Sequence, residues 1–220
     1  MPHDPFHAFA NGRTYPLAPS GRPGLLATLL GRGWSREARH AVDSFLRLAT
    51  VDPTCRVGAR AACVNYGPQG NVTLGRGVIC RGILRSESFG QGRILVGNYA
   101  YLGDDVIVSC SSEVAIGDYA MLAHGVQVFD NDSHPLDPQE RARDYRIILG
   151  LEPGPRPAVA SAPVHIGNHA WIGMGASVLK GVHIGEASIV GAGSVVLHDV
   201  PPYCVACGNP ARVVKEVPRP

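Results

Sequence analysis

The chain has 220 residues, of which 27 are Gly and 18 Pro; 45% are hydrophobic and only 6% aromatic. Gly and Pro together make about a fifth, below the roughly 25–30% of a low-complexity chain, so a packed core of aliphatic and small side chains is expected, in one domain with additions. A formal charge of +2 is too small to imply nucleic acid or an anionic membrane as partner. No apolar run reaches the roughly 18 residues of a membrane span, the first residues lack the regions of a signal peptide, and six Cys without one predict reduced thiols and a cytoplasmic protein.

In chain order, residues 1–60 read as an N-terminal extension. Its first 23 residues look irregular, and a short helix is expected at Gly24–Leu30. Over Trp34–Ala49, apolar residues at Ala38, Val42, Phe45 and Leu46 have helical spacing. That helix is expected to pack on the first coil of the next segment and cover its open edge.

The next segment is a repeat. Aliphatic-Gly pairs recur at Val96-Gly97, Leu102-Gly103, Ile116-Gly117, Ile166-Gly167, Ile172-Gly173, Ile184-Gly185 and Val190-Gly191. From Ile166 the frame is six residues, with Ile or Val first, Gly usually second, and Ala, Val or Ser fifth. Three such units close a triangular coil, and residues one coil apart stack at about 4.8 Å as parallel strands. The aliphatic first position faces a narrow interior that admits no Trp, the small fifth position fits the corner, and Gly is expected to supply backbone freedom at the bend. The spacing therefore predicts an all-β parallel β-helix of hexapeptide coils over residues 61–207.

The frame also breaks. An irregular first coil starts near Leu74-Gly75, with an insertion near Phe89-Gly90-Gln91, and a two-residue bulge falls near Cys110-Ser111-Ser112. Residues 130–163 carry Pro and charge but no hexad, so a long protruding loop is expected there; loops of this length inside a regular architecture are usually functional or disordered. Residues 208–220 read as a short tail leaving the sheet. The CxxC spacing of Cys204 and Cys207 lacks a second pair for zinc, so no metal is assigned, and these two Cys, with Cys80 and Cys110, are expected to pack as small apolar residues.

Three further motifs stand around the hexads: Ser133-His134-Pro135-Leu136-Asp137-Pro138, Asn168-His169-Ala170-Trp171-Ile172-Gly173, and Asp199-Val200-Pro201-Pro202-Tyr203 through Gly208-Asn209-Pro210-Ala211-Arg212. In order and spacing, over residues 70–217, the chain resembles the hexapeptide acyltransferases, above all the maltose and galactoside O-acetyltransferase branch and its polysaccharide-modifying relatives. The resemblance implies a left-handed coil, a homotrimer, and transfer of acetyl from acetyl-CoA to a hydroxyl of a sugar or glycan by direct attack in a ternary complex. It implies that His134 is the base that removes the hydroxyl proton, a task suited to imidazole. Asp130, Asn131 and Asp132 are candidates to orient that ring or bind acceptor hydroxyls, though Asp and Asn are also ordinary turn residues. Where the family places an acceptor-binding Asn this chain has Gly103, so Asp105 is a candidate substitute. For the donor, the resemblance implies Trp171, Gly173, Ala176 and Ala192 along the pantetheine arm and Arg212, Lys215 and Lys180 at the phosphates. An outward Trp171 is physically expected, because the interior has no room for it. The loop, with Arg141, Arg143, Asp144, Tyr145 and Arg146, is expected to cap the acceptor site or reach the adjacent subunit, and its four basic residues, Arg141, Arg143, Arg146 and Arg156, with few apolar ones, suggest a polar or anionic acceptor. The alternatives weighed are N-acetylation of an amino sugar, a γ-carbonic-anhydrase-like zinc protein, for which His165 and His169 lack the required spacing, and an inactive trimeric scaffold.

Overall fold

The computed structural model describes residues 14–16, 35–87 and 91–219. The expected helix at Gly24–Leu30 lies outside them, as does most of the first 23 residues and of the insertion at Phe89-Gly90-Gln91. Three parallel sheets form a β-solenoid of about seven turns. The first face stacks seven parallel strands, from Arg56–Gly58 through Trp171–Ile172 to Cys204–Gly208. Its first strand also pairs antiparallel with Thr14–Pro16. The second face has six strands, Ala62–Asn65 through Val195–Val196, and the third six, Thr50–Val51 through His183–Ile184.

The hexad positions explain the interior. First-position residues such as Leu102, Leu122, Ile172 and Ile184 and fifth-position residues such as Ala120, Ala170 and Ala176 are all buried. The coil admits only aliphatic and small side chains: among the described residues the one fully buried aromatic is Phe45, and it belongs to the helix.

The second-position glycines have a different cause from the one the repeat suggests. At Gly117 the backbone is not in the left-handed region, yet a Cβ there would sit 2.6 Å from the Asn168 amide nitrogen of the next coil. At this corner third-position side chains fill the space: Asn168 Oδ1 accepts from the Asp118 N–H (2.9 Å), and Asp118 Oδ1 from the Asn98 N–H (2.6 Å). Gly is therefore required by close approach of stacked corners. The positive φ falls two residues later, at Tyr99, Asp105, Tyr119, Gly125, His169 and Gly175. On one corner it stacks the rings of Tyr99, Tyr119 and His169, with centroids 5.1 Å apart at each step.

The N-terminal helix runs Arg36–Leu48, begun by Ser35, whose hydroxyl accepts from the Ala38 N–H (3.1 Å). Ala38, Ala41, Val42 and Phe45 are buried against the first coil. Its last carbonyls, which lack partners within any helix, accept from the side-chain amides of Asn65 (Leu48, 2.8 Å) and Gln69 (Ala49, 2.8 Å). The helix thereby closes the open end of the core.

The far end departs from expectation. Residues after Gly208 stay on the sheet: Ala211–Glu216 folds back antiparallel onto Cys204–Gly208, which gives the last parallel strand a partner and covers its edge. Of the two Cys expected to pack there, Cys204 is buried and Cys207 is exposed. The protruding loop is also more ordered than its composition implied. Asp137, whose side chain accepts from the Gln139 and Glu140 N–H groups (2.9 Å each), starts a helix at Pro138–Ile148.

Candidate functional site

The loop leaves the second face after Phe129 and returns to the third face at Val164. Its two stems are joined: the Ala162 N–H donates to the Asp130 carbonyl (2.8 Å), the Asp132 N–H to that of Ala160 (3.1 Å). Asp130, a candidate for acceptor contact, is fully buried. Its carboxylate accepts from the Ser111 N–H (2.7 Å) and the Ser112 N–H (2.6 Å). It thus satisfies the amides that the two-residue bulge leaves unpaired and has no atom to offer a ligand. Asn131 donates to Asp130 Oδ1 (2.9 Å) and accepts from the Ser133 N–H (2.8 Å). This holds Ser133 at φ +63° and turns the chain sharply before His134.

His134 stands on that turn with its ring half exposed. Its Nδ1 lies 2.7 Å from Oδ2 of Asp144, from the loop helix, and that carboxylate has no exposed surface. Arg156, from the returning stem, grips the same carboxylate with two bonds, Nε to Oδ1 (2.6 Å) and Nη2 to Oδ2 (3.0 Å). The Arg156 guanidinium is the main cause that pulls the Asp144 carboxyl down from its ordinary 3.8 to about 2; His134 adds to it and burial opposes it. Asp144 is therefore an ionised, acceptor-only group. The shared hydrogen is then on Nδ1 of His134, so that in the neutral ring Nε2 is the nitrogen that carries the lone pair.

The ring lines a cleft of about 600 Å³ between the second face and the loop, within the usual range for small-molecule sites. Around His134 its wall is polar: Glu87, Ser109, Ser111 and Asn131, with the Ser109 hydroxyl donating to Glu87 Oε1 (3.2 Å). The hexad pattern gave no reason to select Glu87, Ser109 or Ser111. The signal was there in the coil offset, since Phe129 stacks on Ser109 and Ser109 on Arg85.

Other candidates fall elsewhere. Asp105 sits at φ +58° on the corner before Ile107, the opposite end of that strand from the loop, and pairs with Arg60 at 3.3 Å. It does not join His134. Asp132 forms an ion pair with Lys180 and leaves its other oxygen, Oδ2, without a partner. Lys180 is thus engaged beside the loop stem rather than free for a phosphate. Ala176 is inside: its side chain is fully buried, its carbonyl accepts from the Gln127 N–H (2.9 Å), and its N–H bonds Gly173 (3.2 Å), so it cannot line a donor channel. Trp171 points outward, 48% exposed. It heads a cross-strand column through Ile189 and Val205 to Lys215, three strand spacings or about 14 Å. Arg212, on the same last strand, is exposed and donates only to the Ala211 carbonyl (2.9 Å). Gly173 stands at the edge of this face with 2.6 Å between its would-be Cβ and the Ala192 amide nitrogen. In the triangular section the first face lies opposite the corner that carries His134. One chain thus presents two separate groups of residues. Among the described residues no three His, Cys, Asp or Glu side chains cluster as metal ligands would.

A repeating parallel coil with a structured loop at one corner defines the class, a hexapeptide-repeat β-helix. Residues 163–198 match the bacterial transferase hexapeptide (six repeats) family. Nodulation protein L of Rhizobium meliloti is 43% identical over 54% of this chain and 58% of its own length. A putative acetyltransferase of Dictyostelium discoideum is 45% identical over 57% and 58%. These matches span less than three fifths of the relatives' own length. Among solved structures, a maltose O-acetyltransferase from Clostridium difficile 630 superposes with a TM-score of 0.55 at 27% identity, over 88% of this chain and 83% of that one. A Bacillus cereus N-acyltransferase bound to dTDP and coenzyme A shares the fold, with a TM-score of 0.62 at 19% identity, over 84% and 91%. Over these residues the chain is similar to hexapeptide-repeat acetyltransferases.

Proposed function

We propose that this chain transfers acetyl from acetyl-CoA to a hydroxyl of a sugar or glycan, with His134 as general base. The observation that carries the reading is the His134–Asp144 contact of 2.7 Å, in a ring that lines a polar cleft, with Nε2 the nitrogen left to act as base. The acceptor hydroxyl donates its hydrogen to Nε2 as its oxygen attacks the thioester carbonyl. The imidazolium formed in between is stabilised by the buried carboxylate; as the carbon–sulfur bond breaks it returns its proton to the sulfur, so that the thiol leaves and the base is neutral again. A hydroxyl is a poor nucleophile until its proton leaves, so a positioned base is what this reaction needs from the protein.

The donor is supported by the exposed column on the first face. Trp171 and Gly173 offer a flat wall and close backbone approach for a pantetheine arm, Ala192 a small neighbour, and Arg212 and Lys215 exposed cations for phosphates. That face is opposite the His134 corner of the same chain, so the reading requires a second copy to bring its first face to this loop. A closed homotrimer of prisms satisfies that requirement.

The test is acetyl transfer followed by release of coenzyme A against a panel of sugars and amino sugars, with a sedimentation measurement of the assembly. His134→Ala is expected to lower turnover by about 10²–10⁴-fold while coenzyme A binding, measured by calorimetry, is kept. Unchanged turnover would remove His134 from the reaction.

A further inference from the structure

We infer that His124 is a second functional imidazole, a fixed hydrogen-bond donor to the carbonyl oxygen of the thioester. This rests on the proposed transfer from acetyl-CoA and on the donor column of the first face. His124 stands just after the strand Met121–Leu122, on the corner where the first face passes into the second. Its Nδ1 accepts from the Asp104 backbone N–H at 3.1 Å. A backbone N–H can only donate, so Nδ1 holds the lone pair and the neutral ring carries its hydrogen on Nε2. The Asp104 carboxylate does not compete for a hydrogen on Nδ1. Arg81, only 7% exposed, holds it with two bonds, Nε to Oδ1 (2.8 Å) and Nη2 to Oδ2 (2.6 Å), and Oδ2 stays 3.5 Å from the ring nitrogen. The His124 side chain is 44% exposed, and its Nε2 has no hydrogen-bond partner among the described residues. The tautomer is the reverse of that at His134, whose shared hydrogen is on Nδ1. One ring takes up a proton; the other presents one and keeps it.

The place of His124 matches that task. Backbone bonds stack its corner in register: the Gly125 N–H donates to the Asp104 carbonyl (2.8 Å), that of Gly175 to His124 (2.9 Å), and that of Gly193 to Met174 (2.8 Å). Asp104, His124, Met174 and Ala192 therefore form one column at the edge of the first face. Met174 and Ala192 have no side-chain hydrogen to give and Asp104 is held by Arg81, so His124 is the donor side chain of this column. Its coil lies four strand spacings from the strand of Arg212 and Lys215, or about 19 Å, the scale of an extended phosphopantetheine arm. With the phosphates at those two cations and the arm along Ala192 and Gly173, the thioester arrives at the coil of His124. As the acceptor oxygen bonds to the carbonyl carbon, the electron pair of the C=O bond moves onto its oxygen, which accepts from Nε2–H. The pair returns when the carbon–sulfur bond breaks, and the proton that goes to sulfur is the one on His134. A donor aimed at the developing charge stabilises the transition state more than the ground state.

The experiment follows acetyl transfer by the full chain, together with infrared spectra of bound acetyl-CoA isotope-labelled at its thioester carbonyl. His124→Ala is expected to lower kcat by about 10²-fold with the KM for acetyl-CoA little changed. His124→Gln, whose side-chain amide still donates, is expected to recover part of that loss. The carbonyl band of acetyl-CoA on the natural chain is expected below its position in free acetyl-CoA, and to move back toward it in His124→Ala. Transfer at the natural rate in His124→Ala, or a band at the same position on both chains, overturns the inference; the band is read without any acceptor. Absence of transfer with every acceptor, alongside a band that depends on His124, sinks the proposed transferase activity alone. Failure of acetyl-CoA to bind removes both.

Discussion

The Nδ1 atom of His134 lies 2.7 Å from Oδ2 of Asp144, ten residues along the chain. The carboxylate is held from its other side by two bonds from Arg156. The three residues come from a turn, a helix and a returning stem. Their meeting both closes the loop and sets the tautomer of the ring.

Replacing Asp144 by Asn keeps the size of the side chain and removes the charge that stabilises an imidazolium. Acetyl transfer is expected to fall on the order of 10²-fold, with the affinity for coenzyme A unchanged, because the residues proposed to hold the donor do not include Asp144. A variant that transfers at the normal rate would show that the pair only anchors the loop.

The same carboxylate makes the fold sensitive to acid. Its folded pKa, about 2, is below its unfolded value, so its contribution to stability is complete above about pH 4 and is lost as the pH falls from about 4 toward 2. Denaturant titrations across that window are expected to show a steeper loss for the natural chain than for Asp144→Asn. Parallel curves would contradict the assigned charge.

Two glycines separate the two reasons for glycine in the coil. At Gly117 an added Cβ meets the backbone of the next coil at 2.6 Å, and Gly117→Ala is expected to cost roughly 1–3 kcal/mol or more as an overpacked site. At Gly175 nothing lies within 4 Å but φ is +66°, and Gly175→Ala is expected to cost only the left-handed conformation, about 1–2 kcal/mol. Chemical denaturation of both variants checks the order; a larger loss at Gly175 would reverse the assignment.

The thiols separate in the same way. Burial pushes the Cys55 thiol up to about 11 and those of Cys63 and Cys80 to about 12, and raises Cys110 further. Cys204 is buried as well, and Cys207 is exposed. A disulfide reagent is expected to modify Cys207 rapidly in the folded protein and all six thiols in denaturant. Capping Cys207 is expected to leave acetyl transfer intact, since the chemistry proposed for His134 needs no thiol nucleophile; loss of transfer on capping would call for one.

The coil was legible in the amino-acid sequence because translational repetition makes each environment local. A residue such as Ile172 or Ala120 is buried by neighbours one coil away that obey the same six-residue rule, so its place follows from the frame alone. The helix over Ala38, Val42 and Phe45 was legible for a similar reason, through its own period. The frame also marked where it fails, at residues 130–163, and so which corner holds His134. It gave the wrong cause for the second-position glycines, because close approach between coils is invisible until they are stacked. It put Ala192 and Ala176 in one group, although Ala176 faces the interior and Ala192 the solvent. Only the tertiary structure decided that Asp144 and Arg156, two charged residues among several in an aperiodic loop, converge on His134. Nor could the repeat say that Asp130 caps a bulge, that Glu87, Ser109 and Ser111 line the cleft, or that Trp171 stands on the face opposite the His134 corner. Periodic order is written into a sequence by spacing, whereas an aperiodic loop takes its contacts from how its helix and stems dock, and no spacing records that.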